Sequence, residues 1–181
     1  MTGGSAALPP AYIVHIDDSP NEAKARAVAL LGNEEYHQCF RNGRRIRIIN
    51  AWKPIVNTVE IAPLAICDRR TVAEADIVTY DKVHPDRVRE GAFAFHNPGQ
   101  KWFYLPEQRE DEVALFTIWD SDMERGPSGC PHSSLSSEND DSGSVRESIE
   151  LLYLRIGPWH IQWLIKVTSC IQKLDRQLGD H

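Results

Sequence analysis

Two histidines and one carboxylate stand out in this sequence because together they could bind a metal ion. His15 and Asp17 form a His-x-Asp pair at the end of a short apolar segment, and His132 lies far later in the chain. Side chains at positions i and i+2 of a strand point to the same face, so His15 and Asp17 could serve one site. Two imidazoles and one carboxylate are the facial ligand set of non-haem Fe(II) oxygenases, which leaves positions open for O₂ and a cosubstrate. The three residues therefore predict an iron site.

A second group of polar residues could bind an organic anion beside that metal. Arg146 and Ser148 follow His132 across a serine-rich polar segment and lead into the apolar stretch SIELLYLRI. A guanidinium group binds a carboxylate through two parallel hydrogen bonds, and a neighbouring hydroxyl adds a donor. We predict that Arg146 and Ser148 bind the distal carboxylate of 2-oxoglutarate. Further candidates, for contacts with the substrate, are Asn50, Trp52 and Lys101.

Simpler interpretations of the same residues stay open. Asp17 precedes Ser19 at a helix start and could serve only in capping, His132 could be an ordinary loop residue, and Arg146 could pair with a nearby glutamate on the surface. Each of these is the commoner role for one such residue taken alone. Their order along the chain, with strands between the His-x-Asp pair and His132, favours the iron site.

The segments around the His-x-Asp pair predict a strand followed by two helices. A short strand is expected over Tyr12–Ile16, and Ser19, Pro20 and Glu22 then form the pattern of a capping box with proline at the first helical position. The first helix should end at Gly32. A second helix is expected over Glu34–Phe40, before the turn at Asn42-Gly43.

From Arg44 onward the pattern changes to short strands. The segments RIRIINAWKPI, VEIAPLAICD, DIVTYDKV, GAFAFHNP, KWFYLPEQ, EVALFTIWDS and SIELLYLRI follow each other at short intervals with turn residues between them. Such spacing is typical of a β-sandwich or barrel. Gly157-Pro158 should then open a C-terminal amphipathic helix over Trp159–Leu178, with one apolar stripe formed by Trp163, Val167, Cys170, Ile171, Leu174 and Leu178. We expect a leader at 1–11, one β domain at 12–156 and the helix at 157–181.

Composition excludes several classes of protein. The chain has 181 residues, 41% apolar and 25% charged, which suits one globular domain. A net charge of −6 argues against binding of a nucleic-acid backbone. No apolar run is long enough to cross a bilayer, and no secretory signal is recognisable. The four cysteines are scattered without metal-binding spacing, which favours reduced thiols and a cytoplasmic location.

The chain resembles the fungal hydroxylase/desaturase family that includes the aspergillic-acid hydroxylase, gibberellin desaturase and the cephamycin methoxylation protein. The matching segments are VHIDDSPNEAKAR, RIRIINAWKPI, PLAICDRRTV, DIVTYDKV, KWFYLPEQREDEVALFTIWDSD and PHSS…RESIE, in this order from about Ile13 to Leu152. The resemblance implies a double-stranded β-helix (jelly-roll or cupin-like, mainly β with flanking helices) that is incomplete at its N-terminal side, since members carry a substantial region before His-x-Asp. It departs from the family pattern at Gln100, where a histidine is usual, and at Leu152, where an arginine is usual.

The resemblance also implies a function. We expect an Fe(II)- and 2-oxoglutarate-dependent oxygenase or desaturase that acts on a small secondary metabolite, with His15, Asp17 and His132 on the metal. The alternative is a truncated β-helix that works as a metal-independent isomerase or cyclase, or as a binding or subunit protein. The apolar stripe of the C-terminal helix must be buried, either within one chain or across a homodimer.

Overall fold

A computed structural model describes residues 9–122, 129–136, 146–158 and 172–173, and it contains two β-sheets and two helices. The strands are β1 His15–Ile16, β2 Arg44–Val56, β3 Leu64–Cys67, β4 Ile77–Val83, β5 Val88–Ala94, β6 Trp102–Tyr104, β7 Ala114–Asp120, β8 His132–Ser134, β9 Glu147–Pro158 and β10 Gln172–Lys173. The helices are α1 Pro20–Leu31 and α2 Asn33–Arg41, and two short 3₁₀ turns cover Arg69–Thr71 and Glu74–Asp76. In the described part of the chain, no helix has the length and apolarity that crossing a membrane requires.

The strands form a seven-stranded sheet in the order β10-β6-β3-β8-β1-β5-β4 and a three-stranded sheet in the order β7-β2-β9. All of the strand pairs are antiparallel. The chain passes from one sheet to the other between β1 and β2, β2 and β3, β6 and β7, β7 and β8, and β8 and β9. This repeated crossing between two facing sheets is a double-stranded β-helix, as expected from the resemblance.

The long strand β2 forms the middle of the three-stranded sheet. Its side chains alternate between the inner and the outer face of that sheet. Ile46, Ile48, Asn50 and Trp52 share one face, and all four are buried between the sheets. On the other face, Ile49 and Lys53 are only half-buried. The inner side chains join Phe116 and Ile118 of β7 and residues of both helices in one continuous core.

Helix α1 begins and ends where the sequence predicts. The Ser19 hydroxyl accepts a hydrogen bond from the amide of Glu22 at 3.1 Å, and Pro20 occupies the first helical position. The other half of the predicted capping box is absent, because the amide of Ser19 donates to the carbonyl of Glu90 on β5 instead. Gly32 ends the helix with φ 80, a left-handed angle that glycine adopts without steric cost.

Several predicted boundaries were wrong. The first strand covers only His15–Ile16, and of the predicted pair VEIAPLAICD only Leu64–Cys67 is a strand. His132 lies in strand β8 rather than in a loop. Strand β9 continues through Pro158, which pairs with Arg44 at the start of the long strand β2, so Gly157-Pro158 does not open a helix.

The predicted C-terminal helix is contradicted at two positions and lies otherwise outside the described residues. Gln172–Lys173 form the short strand β10, which pairs with β6 and so satisfies backbone groups at the edge of the larger sheet. Residues 159–171 and 174–181 are not described. The predicted leader is described only from residue 9 onward.

Candidate metal centre and anion-binding site

The strand register brings the two histidines together. His15 of β1 pairs directly with His132 of β8, and the two rings lie 4.4 Å apart between centroids. Asp17 follows β1, and its carboxylate oxygens lie 3.8 Å from the Nε2 atom of each histidine. The ligand atoms of His15, Asp17 and His132 all lie within 4.8 Å of one another. The predicted triad is therefore assembled, although its members come from distant parts of the sequence.

The hydrogen bonds of the two histidines leave the correct nitrogen free for a metal. The Nδ1 atom of His15 lies 2.7 Å from the carbonyl of Ile13, and that of His132 lies 3.1 Å from the carbonyl of Cys130. Since a carbonyl only accepts, each Nδ1 must carry the proton, and each Nε2 keeps its lone pair. Burial lowers the pKa of His132 to about 4, so this imidazole is neutral near pH 7. The 3.8 Å between each Nε2 atom and the Asp17 carboxylate is too long for a hydrogen bond, so these groups are not bonded to one another. Their ligand atoms instead surround a shared point.

Contacts on three sides fix the segment that carries Asp17. The ammonium group of Lys82 donates to the carbonyl of Asp17 at 2.7 Å. The next residue, Asp18, accepts two hydrogen bonds from Arg26 of α1, at 2.7 and 2.8 Å. The amide of Ser19 is bonded to β5 as described above. Helix α1 and the β4–β5 hairpin thus hold the His-x-Asp segment rigidly, as a metal site requires.

Arg146 lies beside β8 on the inner face of the fold. It donates to the hydroxyl of Ser134 at 3.0 Å and to the carbonyl of Ala62, and its guanidinium group lies over the ring of Trp52 at 5.4 Å from the centroid. Ser134 follows His132 by two residues, so both side chains belong to the same face of β8. Burial lowers the pKa of Arg146, but an arginine remains charged throughout the physiological range. Arg146 therefore contacts the residue that lies one strand repeat, roughly 6.5 Å, from His132 along β8.

The remaining predicted site residues have different positions. Ser148 is half-buried on β9 opposite Pro54 of β2, on the strand face that Glu150 also shares. Asn50 and Trp52 lie on the inner face of β2, as a role in the site requires. Lys101 is exposed, and its carbonyl accepts a hydrogen bond from the amide of Asp68 directly after β3. Lys101 directly precedes β6, which is separated from β8 and His132 by β3.

The structure adds residues that the sequence interpretation missed. Ser134 is the hydroxyl that contacts Arg146, and Ala62, whose carbonyl also contacts it, adopts φ 47, a left-handed angle that is rare for alanine. The ring of Phe116 lies 4.7 Å from that of His132. Partial desolvation of the carboxyl group, followed by the Asp17 carboxylate, raises the pKa of Glu150 to about 7, although its side chain reaches solvent. Of these residues only Ser134, the second serine of PHSS, could have been found in the sequence, because its spacing of two residues from His132 places both on one face of a strand.

These residues fit Fe(II) and a 2-oxo dicarboxylate on the chemistry of their donors. The triad offers two imidazole nitrogens and one carboxylate, the donor set of mononuclear non-haem iron sites. Arg146 offers a half-buried cation whose buried Nε atom has no hydrogen-bond partner within the described residues. Fold and site together define a protein of the double-stranded β-helix class with a candidate mononuclear metal site.

Comparison with known proteins places the chain within that class. Residues 4–155 match the family described as oxidoreductase/YMDC permease-like domain. The alpha-ketoglutarate-dependent dioxygenase phiK of a fungal species is 34% identical over 141 residues, which cover 76% of this chain and 50% of that protein. The hydroxylase/desaturase efuI of Hormonema carpetanum is 33% identical over 153 residues, which cover 78% and 50%. The chain belongs to this family of fungal hydroxylase/desaturase and dioxygenase proteins.

A solved structure supports the same fold. The iron and alpha-ketoglutarate-dependent endoperoxidase NvfI superposes with a TM-score of 0.71 and 27% sequence identity, over 86% of this chain and 58% of that one. The chain thus spans about half the length of the curated relatives it matches.

Proposed function

We propose that this chain carries the catalytic site of an Fe(II)- and 2-oxoglutarate-dependent oxygenase or desaturase that acts on a small secondary metabolite. The single observation that supports it best is the convergence of the ligand atoms of His15, Asp17 and His132 within 4.8 Å, with Arg146 bonded to Ser134 on the same strand as His132. The names of the relatives phiK and NvfI, which state dependence on alpha-ketoglutarate, agree with this proposal.

In this proposal each residue has a defined task. His15, Asp17 and His132 would hold Fe(II), which supplies the activation of O₂ for oxidation of an unactivated C–H bond while 2-oxoglutarate is decarboxylated. Arg146, stacked on Trp52 and anchored by Ser134, would orient the distal carboxylate of 2-oxoglutarate through charge-assisted hydrogen bonds. The apolar rings around the triad, including Phe116, would limit the access of water.

Anaerobic titration with Fe(II) and 2-oxoglutarate tests the proposal directly. We expect binding of one Fe(II) per chain and, by resemblance to the family, a weak visible absorption band when both components are present. His132→Ala should abolish the band and the metal binding. His96→Ala, which alters an exposed loop histidine, is the matched control and should leave both unchanged. A wild-type protein that binds neither Fe(II) nor 2-oxoglutarate would overturn the proposal in favour of a metal-independent role.

We propose further that the chain works in the cytoplasm and forms a homodimer. Cys39, Cys67 and Cys130 are free thiols, which suits a reducing compartment. The exposed side chains of Ile149, Leu151 and Tyr153 on β9 offer an apolar surface for the second copy. Light scattering tests the dimer, because a mass near 20.5 kDa that does not change with concentration would exclude it. Imaging of a fluorescent fusion tests the location.

A further inference from the structure

Two residues hold the buried side-chain nitrogen and oxygen atoms that have no hydrogen-bond partner within the described part of the chain. They are Asn50, with both atoms of its amide, and Arg146, with Nε. Asn50 is completely buried, with 0% of its surface exposed. A buried polar group without a partner is unfavourable, and folds retain such groups where a ligand or ion supplies the missing partner.

The strand register places Asn50 beside the triad. Asn50 of β2 pairs with Phe116 of β7, so their side chains are neighbours on the inner face. The ring of Phe116 in turn lies 4.7 Å from the ring of His132. Asn50 therefore lies at the level of the predicted metal ligands along the fold.

Arg146 lies one strand repeat further along the same surface. Trp52 follows Asn50 by two residues on β2 and carries the guanidinium group of Arg146 over its ring. On the opposite sheet, Ser134 follows His132 by two residues and also contacts Arg146. The inner faces of the two sheets thus show the same order. The triad and Asn50 lie at one end of the space between them, and Arg146 lies at the other end.

We infer that the Asn50 amide binds the metal-proximal end of the 2-oxo acid, which is its 1-carboxylate and 2-keto group, while Arg146 binds the distal carboxylate. This inference rests on the proposed function. The Nδ2 group of Asn50 donates to an oxygen of the 2-oxo acid, and Arg146 Nε donates to the far carboxylate, so one ligand satisfies both residues. The Oδ1 atom of Asn50 remains available to a water molecule bound with the ligand.

Two anions distinguish binding beside Asn50 and the triad from binding beside Arg146. Oxalate has the two chelating oxygens of a 2-oxo acid but no distal carboxylate, whereas 2-oxoglutarate has both ends. Calorimetry on protein loaded with Mn(II), which avoids turnover, should show that Asn50→Leu weakens binding of both anions by about ten-fold or more, the loss of one hydrogen bond to a charged group. Arg146→Lys should weaken binding of 2-oxoglutarate but not of oxalate.

Two further variants exclude a merely structural effect. Ile48→Val changes the next inner position of β2 away from Trp52 and should leave the affinities for both anions unchanged. Asn50→Asp keeps the size of the side chain but adds a negative charge, so it should weaken oxalate binding more than Asn50→Leu does.

Thermal melting of the ligand-free protein provides a readout that does not depend on the metal. Asn50→Leu replaces two unpaired polar atoms by methyl groups of similar volume, so the melting temperature should stay the same or rise. A lower melting temperature together with unchanged affinity for both anions would show that the amide is bonded within the protein, and the inference would be wrong. If the wild-type protein binds neither anion, the proposed function fails and the inference falls with it. If the wild type binds both anions and Asn50→Leu binds them equally, the inference alone is overturned.

Discussion

Contacts within the protein hold the guanidinium group of Arg146 in one orientation. Its Nη1 atom is bonded to Ser134 and Ala62, and its face rests on Trp52. Its Nε atom has no hydrogen-bond partner among the residues that the structure describes. The fixed bonds set the orientation of the guanidinium group and leave one edge for a ligand. A group held in this way loses little conformational entropy on binding, so its contribution to affinity should be close to that of a full charge-assisted hydrogen bond.

Replacement of Arg146 should therefore weaken binding of 2-oxoglutarate. We expect Arg146→Ala to cost about 1.5–3 kcal/mol of binding free energy, and Arg146→Lys to recover only part of it because an ammonium group lacks the planar fork. Calorimetry with metal-loaded protein measures both changes. Equal affinity in wild type and Arg146→Ala would mean that another cation binds the distal carboxylate.

The shifted pKa values of His132 and Glu150 should give opposite dependences of the free energy of unfolding on pH. The pKa of His132 falls from 6.5 to about 4 on folding, so the unfolded chain takes up its proton first and stability decreases as pH falls from 6.5 towards 4. The pKa of Glu150 rises from 4.5 to about 7, so the folded chain holds its proton and stability increases as pH falls from 7 towards 4.5. In Glu150→Gln only the first effect remains. Melting temperatures of the metal-free variant should therefore decrease more steeply with acid than those of the wild type, and parallel curves would contradict the assigned shifts.

The segment before β8 positions His132 through a close backbone contact. A Cβ atom at Gly129 would lie 2.3 Å from the carbonyl oxygen of Ile118 on β7 and 2.7 Å from a methyl group of Ile16 on β1. Gly129 thus lets three elements approach each other beside the metal ligands, and a larger residue must push them apart.

Gly129→Ala should consequently destabilise the fold and disturb the metal site together. We expect a loss of about 1–3 kcal/mol in the free energy of unfolding, the usual effect of overpacking, and weaker Fe(II) binding. Gly157→Ala is the matched control, because no atom lies within 4 Å of a Cβ at that position. Chemical denaturation and metal titration of both variants provide the measurements. Equal stability of Gly129→Ala and wild type would show that this contact is not tight in solution.

At the level of elements, the sequence predicted best what local patterns determine. Ser19, Pro20 and Gly32 bounded α1 correctly because caps and breakers act over a few residues. The His-x-Asp spacing likewise predicted a shared site. His132 in a strand, and the bonds from Lys82 and Ser134, depend on the pairing of distant segments, which no local pattern encodes. The same holds for β9, which reaches Pro158 because β2 offers a pairing partner along its whole length.

On the scale of the whole molecule, the three-stranded sheet presents an apolar surface to solvent. In the described part of the chain β9 lies at an edge of this sheet, with β2 as its strand neighbour. Ile149, Leu151 and Tyr153 alternate along its outer face and are 42%, 48% and 52% exposed. Rows of exposed apolar residues on an edge strand favour association with another chain.

We predict that a second copy of this chain pairs with that edge in an antiparallel arrangement. If two β9 strands pair about Leu151, Ile149 lies opposite Tyr153 of the other copy, and Glu147 lies opposite Arg155, so apolar residues meet apolar ones and opposite charges meet at both ends. Leu151→Lys would place two ammonium groups at the centre and should shift the mass measured by light scattering towards the monomer value of 20.5 kDa. Leu30→Lys, which changes a single exposed leucine on α1 at 65% exposure, should leave the mass unchanged. A wild-type chain that remains a monomer at high concentration would exclude pairing through β9, and loss of dimer in both variants would assign it to nonspecific contacts.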